Sequence, residues 1–527
     1  MRKIIPFGLF LLGTLSLFAQ ENPLDLNFQR LAVRRFIFSN NLLLNELAPS
    51  EIVNFKSMHP SFTVSDMHEA QSDEAFRPKI DRGNLILDGS CGKNAASVYV
   101  GGVNPYATYD LEIGEYSGEA EVGLEFARLG LRDRIQAIAR LSDANSSVFI
   151  RVFKEDSLLR ETKFDCVFPS NAFSLKIQLY GRSLGIFLTE SGETRYIGHL
   201  PVKEHFGDVL DFRKPEVAQN CTFNLVSDLK GKALINRVSS CLSMGIGQAD
   251  IRPVSYEDLT PYMEGGRLWF TFSCRGLDTP QSAQGVLSLN PSVFDARFEG
   301  MIVFDHGDGF LRNDYASHLF YDRTANEWRA YACDFGGSAN KEGRAQTGLI
   351  TATSKYSPLK GFSVMKAVRV EPEWVEGHNE DPCIFYDTDV KKWRLLTSAF
   401  VSGNIAARMY ESDEWNGRFT VITPPIEQNA TGTSMQKIGG KVYALMGGKG
   451  NLRVHSYPDL KELGELKLNL QPHWPQPAGR VWASVVPLPE GYPYRYVLLT
   501  MDRPNFPNVK GANWSYGALY FYAAYPQ

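Results

Sequence analysis

His318-Leu319-Phe320-Tyr321-Asp322, followed by Trp328-Arg329, and Cys383-Ile384-Phe385-Tyr386-Asp387, followed by Trp393-Arg394, are two copies of one pattern. Each reads as an apolar strand, an Asp turn and a second strand opened by Trp-Arg. Weaker copies stand at Glu264-Gly265-Gly266-Arg267-Leu268-Trp269 and Ile438-Gly439-Gly440-Lys441-Val442-Tyr443. A last one runs from Trp482 through the turn at Glu490-Gly491 and back through Tyr496 to Leu499. The spacing is about fifty residues, a period at which four-stranded meanders repeat around an axis. Five such openings fit the length available, so residues 246–527 are predicted to form a five-bladed β-propeller.

Upstream the pattern changes. Ser97-Val98-Tyr99-Val100, Ala120-Glu121-Val122-Gly123-Leu124-Glu125-Phe126, Ser147-Val148-Phe149-Ile150-Arg151-Val152-Phe153 and Phe173-Ser174-Leu175-Lys176-Ile177-Gln178-Leu179 alternate with period two. That is the signature of strands with one buried face. Many short strands without a repeat are accommodated by two packed antiparallel sheets. Residues 21–245 are therefore predicted to be a β-sandwich of jelly-roll type. In pattern it resembles the concanavalin-like sandwiches that accompany many polysaccharide-active enzymes. The fold class is all-β, a sandwich followed by a propeller.

The first twenty residues differ from both. Arg2 and Lys3 precede an apolar run from Ile4 to Phe18, and Ala19-Gln20 leads into the polar Glu21. This reads as a secretory signal peptide, 1–20, too short to span a bilayer and with no Cys beside the cleavage point for a lipid anchor. The expected location is periplasmic or extracellular, with no membrane partner after cleavage. In 527 residues the formal net charge is only -4, and Lys and Arg are dispersed, so nucleic acid is excluded as a partner. A monomer is expected. The seven Cys, at 91, 166, 221, 241, 274, 333 and 383, show no C-x-x-C spacing, so zinc is not suggested. Their odd number leaves at least one thiol unpaired within the chain, and buried thiols on strands account for them.

All eight Trp lie at or beyond residue 269. Trp269, Trp328 and Trp393 occupy equivalent repeat positions and read as packing residues. Trp374, Trp474, Trp482 and Trp514 fall at loops or at the starts of repeats, where an aromatic ring can meet the C–H face of a sugar. Trp482, beside Arg480, is assigned to saccharide binding.

Carboxylates precede the first strand of three successive repeats: Asp258, Asp314 and Glu380. First strands of propeller blades line the central channel, so groups at their starts converge on one mouth. Glycoside cleavage needs such convergence, because one carboxylic acid protonates the leaving oxygen while a carboxylate activates water or attacks the anomeric carbon. Arg275, Arg312, His318, His378 and Asp381 lie close in sequence and are assigned to substrate contact, with ion pairing and ordinary hydrogen bonding as the competing roles. Asp305-His306-Gly307-Asp308-Gly309 has ligand chemistry for Ca²⁺ but not the spacing of an EF-hand, and no metal site or cofactor is assigned. No G-x-S-x-G elbow, phosphate-binding loop, H-E-x-x-H helix or sialidase-type Asp box is present.

A five-bladed propeller presenting Asp, Asp and Glu from consecutive blades resembles glycoside hydrolase family 43 and its relatives in families 32, 62 and 117. Glu380-Asp381-Pro382 is similar to that family's Glu-Gly-Pro element. The resemblance covers the C-terminal half. It implies Asp258 as general base, Asp314 as the group that tunes pKa and orients the sugar, and Glu380 as general acid in a secreted, inverting glycosidase acting on a polysaccharide or oligosaccharide. Two departures stand out. Asp258 is followed by Leu259-Thr260-Pro261 and lacks the family's Arg-Asp-Pro setting, and aligning the two clearest repeats sets Asp314 against Asn379 and Tyr315 against Glu380. Asp381 can exchange roles with Glu380, since neighbours on a strand point to opposite faces. The same mouth could also hold a glycan without cutting it, so a non-catalytic glycan-binding propeller is the alternative.

Overall fold

The computed structural model describes residues 21–525 apart from 48–69, 73–78, 82, 90–94, 131, 143–145, 169–170, 182, 202–208, 277–281, 337–344, 427–429, 449–450, 470–481, 483 and 502–517. The expected signal segment 1–20, and Cys91, Trp474, Arg480 and Trp514, lie outside the described residues. What is described is nearly all strand, with one short helix, Pro215–Ala218. No helix among the described residues is long and apolar enough to cross a membrane.

Two sheets face each other in the first half. One orders Ser157–Asp165, Ser147–Lys154, Arg134–Leu141, Ala120–Arg128, Cys221–Leu229, Ala95–Gly102 and Ala70–Ser72; the other centres on Tyr106–Ser117 between Phe173–Tyr180 and Lys232–Leu242. Alternation decides what lies between them. Val122, Leu124 and Phe126 from one sheet meet Tyr109, Leu111 and Ile113 from the other in one continuous buried cluster. Glu121, Gly123 and Glu125, at the intervening positions, face outward.

The second half is a series of antiparallel meanders. The first runs Gly247–Pro253, Arg267–Arg275, Ser282–Asn290 and Asp295–Asp305, and the second Tyr315–Asp322, Glu327–Cys333, Leu349–Ser354 and Gly361–Arg369. Their outermost strands pair in parallel, Gly300 opposite Gly361, which joins the two into one sheet. The third starts at Asn379–Asp387 and the fourth at Thr431–Ile438. In the fifth, Ser484–Pro487, Tyr496–Met501 and Leu519–Ala524 are completed by Asn27–Arg34 from the other end of the chain. The first strands of the five meanders touch in cyclic order, and Ser484–Pro487 returns to Gly247–Pro253, so they close a ring.

The role of Asn27–Arg34 corrects the expectation that all of 21–245 belongs to the sandwich. Phe28 stands opposite Ala524 and buries itself with Leu498, Tyr520 and Tyr522. A strand whose apolar face is satisfied there has no place in the first two sheets.

One irregularity repeats. The first strands of four meanders each carry a bulge at which one residue adopts positive φ: Asp250 (54°), Ala316 (58°), Asp381 (52°) and Gly432 (65°). A bulge bends the strand and re-aims its neighbours. Only Gly takes this conformation without strain, and Asp is among the residues that tolerate it best.

Candidate active site

The bulges define the end of the ring at which polar groups gather. Asp250, 5% exposed, receives a hydrogen bond from Ser273 Oγ at 2.6 Å and an ion pair from Arg275 Nη2 at 2.7 Å, both on Oδ2. Arg275 reaches on to Tyr315 Oη at 3.2 Å and lies flat over that ring, so it links the first meander to the second. Asp381 sits at the equivalent bulge of the third meander. Its Oδ2 accepts from the Gly432 amide at 2.7 Å, Thr431 Oγ1 at 3.1 Å and Ser398 Oγ at 3.3 Å. Burial pushes its pKa up to about 6, the charges of Glu380 and Asp250 push the same way, and the Gly432 amide and Arg252 oppose them. Asp250, Glu380 and Asp381 thus form one electrostatic group.

Glu380 carries the most open carboxyl of the three, with a side chain 24% exposed and His378 Nε2 at 3.9 Å from Oε1. His378 also lies 3.3 Å from the Gln346 carbonyl and against Phe400. Asp314 is fully buried, held by His306 Nε2 at 2.9 Å and the Gly336 amide at 2.8 Å. Close by, burial and then the charge of Asp314 push Asp334 up to about 6, against the Ala345 amide and Arg369. A second acidic pair therefore lies under the second meander.

Asp258 does not join these groups. Ser255 and Tyr256 pair with Phe320 and Tyr321, and the Glu257 carbonyl accepts the Tyr386 amide, so this segment is level with the far ends of the strands that Asp314 and Glu380 begin. There Asp258 holds the Thr260 amide at 3.0 Å and Arg323 Nη2 at 3.0 Å. Burial alone would raise its pKa, but those contacts outweigh it and the net shift is downward. It is a turn-forming Asp. The carboxylate that the first meander places at the mouth is Asp250, which sequence reasoning missed. Asp250 stands inside Gly247–Pro253, and neither its bulge nor its partner Arg275 leaves a local mark in the sequence.

Other expected contacts also move. His318 is buried inside the channel, accepting the Ile384 amide at 3.1 Å on Nδ1 and lying 3.3 Å from Ser255 Oγ on Nε2; desolvation, then the Arg252 charge, depress its pKa to about 3. It bridges neighbouring strands as a neutral imidazole. Arg312 is buried in an ion pair with Asp308, and Asp305 caps the Gly307 amide, so the acidic glycine-rich loop spends its side chains internally. Among the described residues no group of three or more His, Cys, Asp or Glu is arranged to hold a metal ion. Trp482 is 3% exposed with the Arg252 guanidinium 4.6 Å from its ring centroid, so its ring faces the channel interior and not a ligand. Trp269, Trp328 and Trp393 are buried as packing residues. The channel between Arg252, His318, Cys383 and Gln436 retains a cavity of only about 20 Å³, so a ligand larger than water meets this ring at its mouth.

No family model matches the sequence, and no curated protein matches it. Similarity is found among solved structures. One is a thermostable family-43 glycoside hydrolase, 15% identical over 53% of this chain and 90% of that one, TM-score 0.34. Another is an endo-1,4-beta-xylanase from Bacteroides thetaiotaomicron, 12% identical over 53% of this chain and 94% of that one, TM-score 0.32. A third is a legume lectin-like domain from Entamoeba histolytica, 6% identical over 32% of this chain and 88% of that one, TM-score 0.25. The expected resemblance to family 43 is thus present among solved structures, at low identity and over about half the chain.

Proposed function

We propose that this chain is an exported glycoside hydrolase, in which the five meanders are the blades of a five-bladed β-propeller and residues 21–245, less the strand Asn27–Arg34, are an accompanying sandwich. The observation that carries the reading is the gathering of Asp250, Glu380 and Asp381 where first strands of different meanders bulge. Cleavage of a glycosidic bond requires a proton donor and an ionised partner side by side, and crowded carboxyls are the usual way to keep one of them protonated. Glu380 is the donor, because its carboxyl is the one open to a ligand. Asp250 replaces Asp258 as the general base. Asp381 lies beneath and biases the pair, and Asp314 with Asp334 supports the neighbouring blade.

Glu380→Gln should abolish cleavage of a natural glycan while sparing more activity on an aryl glycoside, whose phenolate leaves without full protonation. Asp250→Asn should depress both. Arabinose- and xylose-containing polysaccharides are the first substrates to test. Proton NMR of the first-formed anomer then reports inversion or retention. Wild-type rates in Glu380→Gln would refute the assignment.

One observation favours a binding protein instead. Asp250 is tied to both Arg275 and Ser273 through one oxygen, an arrangement that orients a sugar hydroxyl as readily as a water. Tight binding of a glycan with no release of reducing ends would select this reading.

A further inference from the structure

A hollow also lies away from the ring. It lies on the outer face of the seven-stranded sheet, with a volume of about 550 Å³. Glu125, Gln136 and Arg151 line it, as the middle of a longer row that register fixes. Tyr99, Asn224, Glu125, Gln136, Arg151 and Glu161 stand opposite one another in turn across six strands. At about 4.8 Å per strand this polar row is about 24 Å long. Beside it runs an apolar row of Val226, Gly123, Ile138 and Phe149, and beyond that Asp228, Glu121 and Arg140.

The polar groups are held in place. Glu125 accepts Gln136 Nε2 at 2.7 Å and Asn224 Nδ2 at 3.2 Å, and Glu125 and Asn224 are each only 8% exposed. Arg151 joins Glu161 at 2.7 Å to Glu121 at 2.6 Å, and Arg140 Nε reaches Glu121 at 2.7 Å. In the hollow three carboxylates, Glu121, Glu125 and Asp228, outnumber two guanidiniums, Arg134 and Arg151. A polyanion would therefore be repelled by the excess carboxylate. A ligand edged with hydroxyls, each both donor and acceptor, matches fixed acceptors and donors in alternation. Tyr99, 38% exposed at one end of the polar row, offers a ring for a C–H face.

We propose that this face is a binding groove for a neutral oligosaccharide chain, separate from the ring. The inference rests on the proposed function only for its choice of probe glycans. The test is native affinity electrophoresis of the full mature chain in gels containing arabinan, arabinoxylan or galactan. Retardation is expected in at least one gel, little changed by 0.5 M NaCl because the ligand carries no charge to screen. Tyr99→Ala, at an exposed position, and Arg151→Ala should each weaken it about tenfold or more, as loss of a hot-spot contact does. Retardation that survives both groove variants, or no retardation in any neutral gel, overturns the proposal. Salt-sensitive binding to polygalacturonate alone overturns it as well. Hydrolysis by the groove variants, followed on a short substrate, reports the ring separately, so either reading can fail without the other.

Discussion

Asp381→Asn should stabilise the protein at neutral pH and leave it unchanged at pH 4. The carboxyl is pushed up to about 6 in the folded chain by burial and by the charges of Glu380 and Asp250, from an ordinary value of 3.8. Between those two pH values the folded state binds more protons than the unfolded state, so stability falls as pH rises through this window and levels off above about pH 6. Each pKa unit is worth 1.36 kcal/mol, which puts the cost of the ionised carboxylate at about 3 kcal/mol. Asn has the same shape and keeps an acceptor for the Gly432 amide and the Thr431 and Ser398 hydroxyls, without the charge. Asp334 shifts in the same direction but is present in both proteins, so it cancels in the comparison. The assay is the melting temperature of wild type and variant at half-unit intervals from pH 4 to pH 8. The gap should open from near zero to about 5 °C or more, given about 2 °C per kcal/mol for a domain of this size. A gap that stays constant across the range would refute the reasoning, because a pure packing effect carries no pH dependence.

Trp482→Ala should cost about 3–5 kcal/mol in urea unfolding, as removal of a buried Trp does, and leave glycan binding by the folded fraction unchanged. Asp258→Asn should leave hydrolysis within about twofold of wild type and lower stability by about 1 kcal/mol or less, since its partner Arg323 is partly solvated. Deleting residues 21–37 should destroy the cooperative melting of the C-terminal half, read by calorimetry, and a fragment starting near Gly245 should share that defect. Restored melting on adding a peptide of that sequence would locate the fault in the missing strand.

The hairpins were legible because each repeat spends the same residues on the same contact. Trp328 pairs across from Tyr321 and Trp393 across from Tyr386, and both rings are buried, so packing itself writes the repeat into the sequence. The alternation around Val122 and Val148 was readable for the same reason. Glu380 and Asp381 were found because Pro382 marks a bulged strand start. Asp250 was not, since its bulge is declared by backbone φ and by a long-range partner, Arg275, and neither leaves a local mark. Asp258 misled because an Asp that caps a turn and an Asp that opens a strand share the same sequence context. Trp482 misled because its cover comes from Arg252, 230 residues earlier in the chain. The partner of Asn27–Arg34 was beyond reach, because a strand's own alternation says that one face is buried and not against what.

That strand has a consequence for how the protein is made. Asn27–Arg34 leaves the ribosome long before Leu519–Ala524, its antiparallel neighbour. At about 5–20 residues per second it waits about 25–100 s for its partner. For that interval it is an unpaired edge bearing Phe28, the kind of segment that recruits other chains. Closing the ring joins Asn27–Arg34 to Leu519–Ala524, strands far apart in the sequence, and is therefore a late and slow step. A cell producing this protein must keep that strand occupied, or keep the chain unfolded until it is whole.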